Sequence, residues 1–296
     1  MHDDEIEVDV VRVRRLLQEQ FPEWAHLSIE PVRSAGTDNA MFRLGEALVV
    51  RLPRTPAAVA QVEKEHRWLP ALAPLLPLPV PIPVAVVVAG VGYPWPWSVY
   101  RWLDGENATN APPADSHHAA LELAGFVNAL HRIDTTNGPL PGSHNFNRGV
   151  PLVQRDAPTR SAIESLRGVL DTRAVERAWD AALNAPGWST EAVWIHGDLQ
   201  SGNLLTRRGR LTAVIDFGGL GIGDPACDCM VGWTLFGPQA RKVFRDALAV
   251  DDTTWARGRG WALSVGLIAL PYYQGTNPAL ATVARRGIEA VLADHS

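Results

Sequence analysis

The stretch His196-Gly-Asp198-Leu-Gln-Ser-Gly-Asn203-Leu-Leu205, followed by Ile215-Asp216-Phe217-Gly218, is the most informative part of the chain. Its first part has the form H-x-D-x-x-x-x-N and its second is D-F-G, with Asp216 thirteen residues after Asn203. Phosphoryl transfer requires these residue types. Magnesium prefers oxygen ligands, which a side-chain amide and a carboxylate each supply, and a separate carboxylate must meet the attacking hydroxyl. Taken singly, Asp198 and Asn203 read as turn caps and Asp216 as the end of a strand. Taken jointly, at this spacing, they read as a site.

Short β-type runs, Ala192 to Ile195 and Leu211 to Ile215, flank this polar loop. Around them the pattern is helical, with candidates at Ser116 to Ile133, Ala174 to Leu183, Pro238 to Leu248 and Trp255 to Tyr273. Before Asp104 it differs. An amphipathic helix on Val10, Val13, Leu16, Leu17 and Phe21 precedes β-type runs at Ile29 to Val32, Ala40 to Leu44 and Ala47 to Leu52, separated by turn-rich links. A helix over Ala57 to Leu72, a Pro-rich stretch, and strands at Val84 to Ala89 and Trp97 to Leu103 complete a small sheet. The expectation is an α+β chain of two lobes: residues 1–103, a small antiparallel sheet with a helix, and residues 104–296, mainly helical.

Composition narrows the function classes. With 296 residues, 46% hydrophobic and 20% charged, the chain is a globular protein of about two structural units. A net charge of −5 leaves no basic surface to neutralise the phosphates of a nucleic acid. Cys227 and Cys229 are poorly placed for a disulfide framework or a zinc site, which predicts a reduced, cytoplasmic protein. The segment Met1 to Asp9 carries five acidic residues and no apolar core, and Leu75 to Ala89, the longest apolar run, is broken by four prolines, so neither a signal peptide nor a membrane helix is expected.

On the catalytic-loop and D-F-G residues the chain resembles the aminoglycoside phosphotransferase family, a branch of the protein-kinase-like fold that phosphorylates hydroxyls of small molecules. The resemblance extends to Gly223-Asp-Pro-Ala-Cys-Asp228 and to the hinge-like Ser98-Val-Tyr-Arg-Trp-Leu-Asp-Gly105. It implies a bilobal kinase-like fold in which Asp198 is the catalytic aspartate, His196 supports the catalytic loop, and Asn203 and Asp216 hold Mg2+. It also implies ATP or GTP as co-substrate, with the backbone of Tyr100 and Trp102 meeting the base.

The N-terminal lobe departs from the protein-kinase pattern. No G-x-G-x-x-G is present, and Ser34-Ala-Gly36-Thr-Asp-Asn39 occupies its place, with backbone and hydroxyl groups of Ser34, Gly36 and Thr37 available to phosphates. The lysine of the third strand is missing too: Lys64 and Lys242 are the only lysines, and Arg51 is the cation in that strand. Arginine keeps the charge and pairs with phosphate through two donors. Glu65 is the expected partner of Arg51. Glu63 is the rival, but two residues turn a helix by about 200°, and Trp68, Leu69 and Leu72 place the face of Glu65 inward.

Gly218 to Asp228 is too short to dock a peptide, so the expected acceptor is a small hydroxylated molecule bound among the C-terminal helices, with no obligate protein partner. Between Asp104 and Ser296 there are 20 acidic and 17 basic residues, a balance unlike that of a pocket for polycations. Trp233, Tyr272 and Tyr273 are candidates for contacting a sugar or a weakly charged antibiotic, although core packing is their ordinary role. Asp228 and Asp246 are candidates for contacting an amine. Acceptors consistent with this reading are aminoglycosides, macrolides and peptide antibiotics. A metabolic kinase acting on a sugar or amino alcohol, or a nucleotide-binding module without turnover, are the competing functions.

Overall fold

The computed structural model describes residues 6–32, 38–90 and 92–295. The chain divides into two compact units, one formed by residues 1–75 and 79–104, the other by residues 76–78 and 105–296.

In the first unit, helix α1 (Val10–Gln20) starts where the Asp9 carboxylate accepts a hydrogen bond from Arg12 N at 2.7 Å. Its Val13, Leu16 and Leu17 are fully buried, at the spacing that puts them on one face. That face packs on a five-stranded antiparallel sheet of β1 (Ile29–Pro31), β2 (Asn39–Leu44), β3 (Leu48–Pro53), β4 (Pro83–Val87) and β5 (Trp97–Arg101), in the order β1-β2-β3-β5-β4. Phe42, Leu44, Val50, Leu52, Trp97 and Val99 complete this core. Burial of each such side chain contributes about 1.5–3 kcal/mol. Helix α2 (Pro56–Leu72) begins on Pro56, whose missing N–H costs nothing at a first helical turn, and touches β3, β4 and β5.

The second unit has a short sheet of β6 (Glu106–Asn107), β8 (Leu204–Arg207) and β9 (Arg210–Val214) and a ribbon of β7 (Val193–Ile195) with β10 (Gly221–Gly223). Its helices are α3 (Ser116–His131), α4 (Asp156–Ser165), α5 (Thr172–Leu183), the single turns α6 (Ala226–Cys229) and α7 (Val231–Thr234), α8 (Pro238–Ala247), α9 (Asp252–Tyr273) and α10 (Pro278–His295). Helix α9 is the axis of this unit: Trp261, Leu263, Leu267 and Leu270 are buried among α4, α5, α6 and α10. The α+β architecture is the one expected. Elements α4, α6, α7, α10, β6, β8 and β10 are additional to those read from the sequence. No described helix is long and apolar enough to cross a membrane.

Candidate active site

Two antiparallel pairings bring the segments of the motif together. Strand β7 pairs with β10, Trp194 opposite Ile222, and β8 pairs with β9, Leu204 opposite Val214. The catalytic loop, residues 196–203, leaves β7 and enters β8; the D-F-G segment leaves β9 and enters β10. The ladder continues one step past the hairpin, Ile215 N donating to Asn203 O at 2.9 Å, so Asn203 and Asp216 stand at one end of it. A two-residue turn with positive φ at Arg208 and Gly209 closes the hairpin and fixes that register.

Asp198 is held on both oxygens. Oδ2 accepts from Asn203 Nδ2 at 2.9 Å and Gln200 Nε2 at 3.0 Å, while Oδ1 pairs with Arg148 Nη2 at 3.1 Å. A carboxylate offers about four lone-pair sites, so this set leaves one for an incoming hydroxyl. The side chain is 25% exposed, which leaves it within reach. Asn203 Nδ2 also donates to Asp198 O at 2.8 Å, so its amide oxygen faces away from Asp198. Asp216 has φ +62°, in the left-handed region that a non-glycine residue occupies only under constraint, and its Oδ1 accepts from Gly218 N at 3.4 Å.

His196 is fully buried and supports the loop as expected. Its Nδ1 accepts from Asp198 N at 3.2 Å, so the ring proton lies on Nε2, which donates to Ile215 O at 3.0 Å. One imidazole thus ties the catalytic loop to the D-F-G segment, and Phe217 packs on it at 4.6 Å between ring centroids. Gly197 has φ +80°, and a Cβ there would run into the carbonyl of Gly219.

Asp228 corrects the sequence reading. It is fully buried, not open to an acceptor amine: Oδ2 accepts from His196 N at 2.9 Å and Oδ1 from Gly197 N at 2.8 Å, with His131 Nε2 3.4 Å from Oδ2. It anchors the start of the catalytic loop to α6. Asp224 is equally occupied, forked onto the buried Arg257 at 2.8 and 3.0 Å. Trp233 is also core, 2% exposed and packed on Trp255. Asp246 sits on the surface, in an i,i+4 pair with Lys242. Tyr272 and Tyr273 pack edge to face near the end of α9, Tyr272 half exposed. Burial pushes the thiols of Cys227 and Cys229 well above their ordinary range, which makes both packing groups.

In the first unit Arg51 Nη1 meets both oxygens of Glu65 at 2.7 Å, and the Tyr100 hydroxyl donates to Glu65 Oε2 at 2.5 Å. Glu65, not Glu63, is therefore the partner, and it is 1% exposed. Gln61 Oε1 accepts from Arg51 Nη2 at 3.0 Å, and Asn39, turned so that its amide oxygen faces the guanidinium, accepts from Nε at 3.2 Å and Nη2 at 3.0 Å. Every donor of Arg51 is thereby engaged, a network that no single motif announces. The hinge backbone is partly engaged within the sheet. Trp102 N donates to Ala47 O at 2.8 Å, and Tyr100 lies inside the sheet between Val49 and Pro83, so its contribution is its hydroxyl. Ser34, Gly36 and Thr37 lie outside the described residues.

The Asp198 carboxylate, the Asn203 amide and the Asp216 carboxylate thus stand around one hairpin end of an α+β scaffold. The model of the APH phosphotransferase enzyme family matches residues 28–261, and the chain belongs to that family. No curated protein matches it by sequence. Among solved structures it is similar to the GDP and kanamycin complex of APH(2")-IIIa, with 19% identity and a TM-score of 0.75 over 97% of this chain and 100% of that one. It is also similar to macrolide 2'-phosphotransferase type I, at 19% identity, TM-score 0.63, covering 95% and 98%. A third is the macrolide 2'-phosphotransferase MphH from Brachybacterium faecium, at 21% identity, TM-score 0.60, covering 93% and 98%. At such identities the likeness establishes the fold.

Proposed function

We propose that the protein transfers the terminal phosphate of ATP or GTP to a hydroxyl of a small molecule in the cytoplasm, and that the acceptor is an antibiotic of lower positive charge than an aminoglycoside. The observation that carries the chemistry is the hydrogen-bonded pair Asp198 and Asn203 with Asp216 beside it at the hairpin end. A protein that only bound nucleotide has no need of all three.

Asp198 receives the hydroxyl on its remaining lone pair, orients it toward the phosphate and takes its proton as the new bond forms. Arg148, Asn203 and Gln200 keep the carboxylate from rotating. The residues present fit magnesium. The amide oxygen of Asn203 faces away from Asp198, Asp216 adds a carboxylate, and both are the hard oxygen donors that would hold this ion. An ion held there by Asn203 and Asp216 would supply positive charge to the transferring phosphoryl group. Arg51, fixed by Glu65, Gln61 and Asn39, contributes positive charge for the nucleotide phosphates.

GDP in one similar structure supports a nucleotide co-substrate; the similar structures include enzymes of both aminoglycosides and macrolides, so the lower positive charge of the acceptor rests on the 20 acidic and 17 basic residues between Asp104 and Ser296. A metabolic hydroxyl acceptor is the second reading, favoured by the even charge of the second unit. The test is release of nucleoside diphosphate with magnesium across aminoglycosides, macrolides, peptide antibiotics and hydroxylated metabolites, for ATP and for GTP. Stimulation by one class names the acceptor, and release that no acceptor raises contradicts the proposal. Asp216→Ala is expected to remove the magnesium-dependent part of nucleotide binding; an unchanged metal titration would remove Asp216 as a ligand.

Arg51→Ala is expected to weaken nucleotide binding and also lower the unfolding midpoint, because Glu65 loses its counter-ion in a buried place at a cost of about 3 kcal/mol. Calorimetric titration and thermal unfolding check the two parts separately. A variant with wild-type nucleotide affinity would return Arg51 to a purely structural role.

A further inference from the structure

Two arginines share one indole, and one of them, Arg148, pairs with the carboxylate of Asp198. Asn203 and Gln200 occupy Oδ2 of Asp198; Arg148 occupies Oδ1. The guanidinium of Arg148 lies 5.9 Å from the ring centroid of Trp261, and that of Arg155 lies 5.2 Å from the same ring. The indole thus carries a cation at each of two contacts, an arrangement that costs like-charge repulsion.

Only one of the two cations is balanced by a carboxylate of the chain. Arg155 donates through Nε to Ser264 Oγ at 3.3 Å, and among the described residues no carboxylate lies within ion-pair range of it. Its pKa is pushed down to about 10, first by burial and then by the charge of Arg148. Arg148 has Asp198 alone as its ion-pair partner, and its Nε and Nη1 are buried with no hydrogen-bond partner. Trp261 Nε1 is a third buried donor without an acceptor. The cluster therefore contains two cations, one carboxylate and a surplus of donors, and buried donors and charges of one sign persist where something supplies the other.

We propose that Arg155 and Arg148 hold an anionic group of the acceptor, a carboxylate or phosphate borne near the hydroxyl that Asp198 receives. The inference rests on the phosphotransferase reading and deepens it: the substrate is a hydroxylated anion or zwitterion. A polycationic acceptor would meet the same two guanidiniums as repulsion. Both side chains are of intermediate exposure, and since Nε and Nη1 of Arg148 are buried, an incoming oxyanion meets Arg155 first.

The experiment compares acceptors in matched pairs, each hydroxy acid or hydroxylated phosphomonoester against its neutral ester, with kanamycin and a macrolide beside them, in the wild type, Arg155→Met and Arg155→Lys. The charged member of a pair is expected to be the better substrate. Its KM is expected to rise about ten- to a hundredfold in Arg155→Met and much less in Arg155→Lys, with the nucleotide KM unchanged. Turnover that is best on a neutral or cationic acceptor and indifferent to Arg155→Met overturns the proposal while leaving the kinase intact. A rise in the nucleotide KM in place of the acceptor KM also overturns it, because it assigns the guanidinium to the transferred phosphate.

Titration of inorganic phosphate and of a dicarboxylate into the wild type and Arg155→Met, followed by calorimetry without nucleotide, reads the site independently of turnover. Binding lost in Arg155→Met supports the site even if no acceptor in the panel is phosphorylated, whereas equal binding or none contradicts it. Unfolding midpoints of both variants separate loss of the site from loss of the fold.

Discussion

Asp198→Ala is expected to lower turnover by about 10²- to 10⁴-fold while nucleotide affinity changes little. The separation follows from where the carboxylate sits. Its contacts are Asn203, Gln200 and Arg148, all in the unit that carries residues 196–203, and in the proposed mechanism its remaining lone pair orients the hydroxyl and accepts its proton. The nucleotide phosphates depend on other groups. Asp198→Asn adds a sharper comparison, since it keeps the shape of the side chain but cannot take a proton. It is expected to be nearly as inactive as the alanine variant. Near-normal turnover in either would remove Asp198 from the chemistry.

Asp228→Ala is expected to have the largest effect on the fold and to abolish most turnover with it. The carboxylate has no exposure to solvent and accepts the backbone N–H groups of two consecutive residues, His196 and Gly197. Removing it leaves two buried donors without acceptors, at about 1–3 kcal/mol each. For a unit of this size the unfolding midpoint should fall by about 10 °C. Asp228→Asn is also expected to be harmed, because an amide has one acceptor oxygen and would present N–H to N–H at the other position. Thermal unfolding and turnover measured together distinguish this anchor from an acceptor-site residue, whose loss would raise the acceptor KM without moving the midpoint.

The fold was largely legible because its periodicities are strong. Val13, Leu16 and Leu17 mark one helical face, and the turn-separated runs around Phe42 and Val50 mark strands, β2 buried alternately at Phe42 and Leu44 and β3 buried at Val49, Val50 and Leu52. What escaped had weak local signals. Strand β10 is Gly-Ile-Gly and owes its conformation to β7 across the ribbon, and β8 begins inside the catalytic motif. Helix α10 did have a sign, Asn277 before Pro278, with the Asn277 side chain capping Leu280 N at 3.2 Å.

The site shows the same division. Local spacing grouped Asp198, Asn203 and Asp216, which the structure brings to one hairpin end whose strand β8 was not read, and helical geometry selected Glu65 over Glu63. Partners distant in sequence were not legible: Arg148 lies 50 residues from Asp198, and nothing near it in the chain announces the contact. Asp228 was visible in Gly-Asp-Pro-Ala-Cys-Asp but misread as a ligand contact. Whether a carboxylate faces solvent or two backbone amides is decided by packing, which composition does not report.

The account is tested most directly by following labelled phosphate from the terminal position of ATP or GTP, with magnesium, in the presence of charged and neutral hydroxylated acceptors. The result predicted is label recovered in a small-molecule phosphate monoester with the wild type and absent with Asp198→Ala. Label that stays in a tightly bound nucleotide, whatever acceptor is supplied, would contradict it and leave a nucleotide-binding module in place of a kinase.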